Sequence, residues 1–271
     1  MNQIIKDGKT GMCYREWISP SAGSVLLLVH GLGGHSARWT PLAEFFLQEG
    51  ISSSAIELEG FGQTPGLKGH VGSFDSYIED ICRFRELITE KNPEKKIFLL
   101  GESMGGLISF MTAALRPGLF DGLVCISPAF SSNLQFTIGE YAKIFWNMVF
   151  DPEKQFSLPF DSKMCTRDIE CQKMLDEDPA EHRFATAGLL HGIALAQMRS
   201  ASFARRIETS VLFLLAGQDE LVKPKASEKV FRSLKTTDKT LIKYPEMRHA
   251  LSIELGREKV FADILSWLRK I

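Results

Sequence analysis

Three residues far apart in this chain are of the types that together make a hydroxyl reactive. Ser103 stands in Gly101-Glu102-Ser103-Met104-Gly105, a G-x-S-x-G turn directly after the apolar run "IFLL" at 97–100. A serine hydroxyl attacks a carbonyl only when a base takes its proton, and the base works only when a third group orients it. Of the six histidines (His30, His35, His70, His182, His191 and His249), only His249 falls in a loop between a late strand pattern and the last helical pattern. Asp219 lies just past the run "VLFLL" at 211–215, with Glu220 beside it as a competing carboxylate. The chain order is serine, acid, histidine, one of the known orders of such a triad. G-x-S-x-G also arises by chance in ordinary turns, so the elements around Ser103 must decide.

Those elements read as alternating strands and helices. "VLLLV" (25–29), "IFLL" (97–100), "LVCI" (123–126) and "VLFLL" (211–215) are continuous apolar runs, as strands buried on both faces should be. "SSSAIEL" (52–58) and "TLIKY" (240–244) are weaker strand patterns, and the stretch around "GMCYREWI" suits antiparallel strands at one edge. Phe74, Tyr77, Ile78, Ile81, Phe84 and Ile88 recur at helical spacing, as do Val260, Phe261, Ile264, Leu265 and Leu268. Strands alternating with helices predict a mostly parallel sheet flanked by helices. Ser103 then occupies a strand–turn–helix junction, where the new helix directs N–H groups and positive potential toward developing negative charge. The glycine-rich "LVHGLGGHSARW" after the first strong strand supplies a second donor, the N–H of Leu32, to act with that of Met104 in an oxyanion hole. His30 shapes that loop and is not the base.

The alternation stops between about Ala129 and Ile207. The expected organisation is therefore a core at 1–128 and 208–271, with a helical cap inserted at 129–207. One cap helix carries Leu134, Phe136, Ile138, Tyr141, Ile144, Phe145, Met148, Val149 and Phe150, more apolar surface than a helix with one solvated face requires. Two readings stay open for that stripe. Either it packs on the core, or Phe136, Ile144, Phe145 and Met148 line an acyl tunnel while the rest meets a lipid surface.

HGLGGHSARW, GESMGG, GQDELVKPKAS and RHALSIELGREKVFADILSWL, in this order along nearly the whole chain, resemble the monoglyceride lipase and lysophospholipase branch of the α/β-hydrolase superfamily. The resemblance implies an α/β-hydrolase fold, Ser103 as nucleophile, Asp219 and His249 as its partners, and Leu32 and Met104 as oxyanion donors. It also implies that Arg38 belongs to the end of the site that meets the glycerol headgroup. Two other polar residues associated with that end are replaced: a glutamate by Gly34, and a histidine three residues after the base by Ser252. Glu59-Gly60-Phe61-Gly62 stands where an Arg-Gly-His-Gly pattern is common. The implied activity is hydrolysis of single-chain lipid esters, monoacylglycerol or lysophospholipid, through an acyl-enzyme without cofactor or metal. An acyltransferase using the same triad, or a non-catalytic binding protein on the same fold, are the alternatives.

Composition narrows the rest. At 271 residues and 44% hydrophobic content, the chain can bury one large core. A net charge of −1 with interspersed signs gives no footprint for nucleic acid. The first residues lack the apolar core of a signal peptide, and no run approaches the ~20 apolar residues of a membrane span. Five scattered cysteines suit reduced thiols and a cytoplasmic location, and Cys165 and Cys171 have no tetrahedral ligand set around them. The expected partner is a small lipid or ester substrate, with peripheral membrane contact through the cap compatible with the stripe.

Overall fold

In the computed structural model, which describes residues 3–271, the four apolar runs become the middle of an eight-stranded sheet. In chain order the strands are β1 (Ile5–Lys6), β2 (Cys13–Trp17), β3 (Ser24–Val29), β4 (Ser52–Ile56), β5 (Lys96–Glu102), β6 (Gly122–Ile126), β7 (Gln155–Ser157), β8 (Phe184–Thr186), β9 (Ser210–Ala216) and β10 (Lys239–Tyr244). The large sheet has the order β1-β2-β4-β3-β5-β6-β9-β10. β1 and β2 are antiparallel at one edge, and from β4 to β10 all pairs are parallel. Parallel strands need crossovers, and helices provide them: α1 (Thr40–Gln48), α2 (Phe74–Lys91), α3 (Met104–Leu115), α4 (Ile138–Phe150), α5 (Ser162–Cys165), α6 (Ile169–Glu177), α7 (Ala187–Phe203), α8 (Pro224–Ser233) and α9 (Arg257–Leu268).

The continuous apolar runs have a direct cause. In β3, Val25, Leu27 and Val29 join a core with residues of α2 and α3, while Leu26 and Leu28 join another with α1 and α9. Both faces are covered, so alternation with polar residues would bury polar groups. Full burial of each such side chain contributes about 1.5–3 kcal/mol. All six predicted apolar positions of α2 and all five of α9 are buried.

β4 is the exception to the pattern. Its Ser52, Ser53 and Ser54 are fully buried in the sheet, and Ser52 Oγ accepts the N–H of Ser19 at 3.1 Å. Small residues here leave little apolar signal in the sequence. Between β6 and β9 the chain runs through α4, α5, α6 and α7, and adds a short antiparallel pair, β7 with β8, that helical periodicity did not suggest. α7 lies against α3 and α4. Of the predicted stripe, Leu134 and Phe136 pack against core clusters, whereas α4 itself has no buried residue. α4 starts from a capping box, in which Thr137 Oγ1 accepts from the Glu140 N–H and the Glu140 carboxylate accepts from the Thr137 N–H. Among the described residues no helix is long and apolar enough to cross a membrane.

Candidate active site

The turn between β5 and α3 contains a single residue, Ser103, with φ 58° and ψ −120°. L-residues avoid this region because the side chain crowds the backbone, and strain of this kind persists only where surroundings enforce it. The surroundings are explicit. Ser103 N–H donates to Ile126 O at 2.9 Å, and its carbonyl accepts from Leu107 and Ala129. A Cβ on Gly101 would lie 2.2 Å from Gly105 O, and one on Gly105 only 2.1 Å from Val29 O. Gly101 thus lets α3 seat directly on β5, and Gly105 lets it seat directly on β3. Met104 opens α3, so its N–H is among those a helix cannot satisfy internally. The loop after β3 passes close by, since a Cβ on Gly31 would come within 3.1 Å of Ser103 Cβ, and it carries Leu32.

His249 lies in the loop between β10 and α9. Its Nδ1 is 2.8 Å from Asp219 Oδ2, and the Asp219 side chain is 1% exposed. Asp219 Oδ1 accepts the N–H groups of Leu221 and Val222, each at 2.9 Å, which fixes the carboxylate after β9. An ionised carboxylate only accepts, so Nδ1 carries the proton and Nε2 is left as the basic nitrogen. Burial disfavours the charged ring, but the charge and hydrogen bond of Asp219, aided by Glu102, outweigh it and hold His249 above the ordinary histidine value. Glu220, the competing carboxylate, is exposed.

Ser103 and His249 share the wall of a cavity of about 400 Å³. Leu32, Met104 and Arg38 also line it, as do Phe136, Ile144, Phe145 and Met148 from the predicted stripe. Asp219 stays behind the imidazole, outside the lining. His30 is spent on the backbone, with Nδ1 2.8 Å from Gly31 O and Nε2 accepting the Leu58 N–H. Burial drives its pKa down to about 3, so it stays neutral.

Arg38 has a partner that its neighbourhood in sequence does not supply. Its Nε and one terminal nitrogen donate to the two carboxylate oxygens of Glu181, each at 2.5 Å. Burial opposes the charge of Arg38, but Glu181 more than offsets this and raises its pKa. His35 Nε2 lies 3.0 Å from Asp178 Oδ2, and His182 N–H donates to Gly33 O. The loop bearing Leu32 is thereby joined to residues 178–182. Sequence reasoning also passed over Glu102, His191 and Gln197, which line the same cavity. Glu102 was in view as part of the motif. His191 and Gln197 are six apart on α7 and carry no distinguishing signal.

A sequence profile of the family described as serine aminopeptidase, S33, matches residues 20–256. The chain is 30% identical to the monoglyceride lipase of Homo sapiens, over 97% of this chain and 88% of that protein. The monoacylglycerol lipase of Paleococcus ferrophilus superposes with a TM-score of 0.87 at 28% identity, covering 95% of this chain and 98% of that one. A soluble variant of Saccharomyces cerevisiae monoglyceride lipase, in complex with a substrate analog, also gives 0.87; at 23% identity over 100% and 95% of the two chains, this is a likeness of fold.

Proposed function

The chain belongs to the serine aminopeptidase S33 family of α/β hydrolases and is a serine ester hydrolase; from that premise we propose that its substrate is a monoacylglycerol. The observation that carries this reading is the placement of Ser103 and His249 in the wall of a cavity otherwise lined largely by apolar side chains. Apolar pockets with a few convergent polar groups suit single-chain lipids. In the proposed reaction His249 Nε2 takes the Ser103 proton as Oγ attacks the ester carbonyl, and Asp219 holds the imidazolium. The N–H groups of Leu32 and Met104 stabilise the oxyanion. The alcohol leaves with the proton from His249, and water repeats the cycle to release the fatty acid. Residues 129–207 act as a cap that supplies the acyl wall.

The charges near the polar end favour a neutral headgroup. Arg38 is fully matched by Glu181, and Glu102 adds a further carboxylate to the lining. A phosphate would find no unbalanced cation there and would meet a carboxylate. Arg38 serves instead as a fixed donor for glycerol hydroxyls. The test is kcat/KM on a panel that crosses acyl length with glycerol, phosphocholine and simple alcohol headgroups. Long-chain monoacylglycerol should exceed the matching lysophosphatidylcholine; the opposite order rejects the headgroup assignment. Along the acyl series each added methylene should raise kcat/KM by up to roughly fourfold, from about 0.8 kcal/mol per buried CH₂. Alanine at Phe136, Ile144, Phe145 or Met148 should flatten that series and leave short-chain turnover near wild type. Equal loss at all lengths would remove these residues from the acyl wall.

α4 also turns apolar groups outward. Ile138 is 90% exposed, and Tyr141, Trp146, Val149 and Phe150 are all more than half exposed; Phe145 is exposed too and borders the cavity as well. They recur at three, four and seven residues, which makes one stripe. We read this stripe as the contact with a lipid surface, at the wall through which substrate would pass. Ile138→Ser combined with Trp146→Ser should reduce co-sedimentation with phosphatidylcholine vesicles while sparing hydrolysis of a soluble ester. Undiminished sedimentation would contradict the assignment.

A further inference from the structure

Glu102 is the last residue of β5, next to Ser103, and is 4% exposed. Its Oε1 accepts the Ser252 N–H at 3.0 Å, and its Oε2 accepts the Ser252 hydroxyl at 2.8 Å. Ser252 lies three residues after His249, in the loop that presents the imidazole. One side chain therefore joins the turn that carries the serine to the loop that carries the histidine. Elsewhere this loop is held by Ala250 N–H donating to Cys165 O and by Arg248 N–H donating to Glu254.

We propose that Glu102 is a second carboxylate of the reaction, a positioning residue that ties the His249 loop to the Ser103 turn and whose charge stabilises the imidazolium. The inference rests on the serine–histidine reading above and deepens it. Burying a carboxylate is costly unless it is paired and hydrogen-bonded. A neutral amide could hold the Ser252 N–H without that cost; the charge is offset by the fixed field of Arg38 and by the positive charge that develops on His249. His249 becomes positive during each acyl transfer.

Asp219 after β9, Glu102 of β5 and Arg38 of the helical turn 36–39 act on the charge of His249. Cys165 of α5 and His191 of α7 line the same cavity, and Arg248 and Glu254 belong to its own loop. Asp219 and Glu102 favour the imidazolium, and Arg38 opposes it. Burial raises the pKa of Glu102, and hydrogen bonding to Ser252 with the fields of His249 and Arg38 works against that rise.

The test is the pH dependence of kcat/KM on a soluble short-chain ester, with enzyme concentration set by fluorophosphonate titration. A general base must be neutral, so activity rises with pH through the His249 ionisation. Because that ionisation is raised in the fold, the wild-type midpoint should lie above about 6.5, the ordinary histidine value. Glu102→Gln keeps an acceptor for the Ser252 N–H and removes the charge. Its midpoint should fall by about half a pH unit or more, a threefold or larger change in proton affinity, with lower plateau kcat and little change in KM. Glu102→Asp, which retains the charge, should restore the wild-type midpoint. Ser252→Ala, which loosens the tie but keeps the charge, should lower kcat with the midpoint unmoved. An unshifted midpoint in Glu102→Gln, or a loss of thermal stability alone, overturns the charge role. Full kcat in Ser252→Ala overturns the tie. Failure of wild-type enzyme to react with the fluorophosphonate would instead reject the serine reading itself, whatever the Glu102 variants do.

Discussion

Ser103→Ala should lose at least about a thousandfold in kcat toward any ester, and its thermal unfolding should stay within about 1 kcal/mol of wild type. Ser103 is half-buried at a turn, and the change deletes one oxygen without opening a packed core. His249→Ala should cost about as much, because serine and histidine act as one unit; Asp219→Asn should be milder but still severe. Ser103→Gly separates catalysis from strain. With φ at 58°, glycine relieves a conformation that costs an L-residue about 1 kcal/mol or more, so this variant should be equally inactive and more stable than wild type. Turnover per folded molecule and thermal unfolding of the same preparations provide the check. More than a few per cent of wild-type kcat in folded Ser103→Ala would remove Ser103 from the reaction.

What could be read from the sequence, and what could not, follows from where each signal is stored. β3, β5, β6 and β9 announce themselves because burial on both faces forces unbroken apolar runs. β4 is equally central, yet its serines fit by small size, with Ser52 alone bonding to Ser19 while the Ser53 and Ser54 hydroxyls find no partner among the described residues, and hydrophobic pattern says little about them. β7 and β8 are three residues each, too short for any period to emerge. At the site, Ser103, Asp219 and His249 could be proposed because each sits at a recognisable element end. The partners that complete the site are different in kind. Glu181 reaches Arg38 across 143 positions, and Ser252 reaches Glu102 across 150. Neither pairing has a local pattern; only the folded chain brings those positions together. The same holds for α4, whose stripe fits core and surface equally well until its exposure is known.

These long-range pairs give Gly34 a physical reading. Gly34 leaves the Arg38 side chain at close range, with a Cβ at that position falling 3.0 Å from Nε. A longer side chain there would contest the space that the guanidinium fills. The carboxylate for Arg38 comes instead from residues 178–182, the stretch that also holds Gly33 and His35. In this chain the loop after β3 is therefore joined to residues 178–182, and a displacement of one should disturb the other.

Gly105→Ala should destabilise the protein by about 3 kcal/mol or more and lower the activity of whatever remains folded. Helix propensity alone predicts the opposite sign, since alanine is a better helix former than glycine, by about 1 kcal/mol at an interior position and less in a first turn such as this one. The tertiary environment reverses it. A Cβ at position 105 would stand 2.1 Å from Val29 O and 2.5 Å from His30 O. Both obstacles are backbone atoms, and Val29 is fully buried and paired to β4 and β5 in the middle of the sheet. No side-chain rotation can relieve the overlap, so α3 must lift away from β3. That movement would carry the Met104 N–H and Ser103 away from Leu32, and loss of oxyanion stabilisation would accompany loss of stability. Gly139 in α4 supplies the control, because nothing lies within 4 Å of a Cβ there and the residue is exposed. Gly139→Ala should gain up to about 1 kcal/mol with full activity. Thermal unfolding and kcat of both variants decide the matter: a Gly105→Ala enzyme as stable and active as wild type would mean that close seating of α3 on β3 is not what holds the site together.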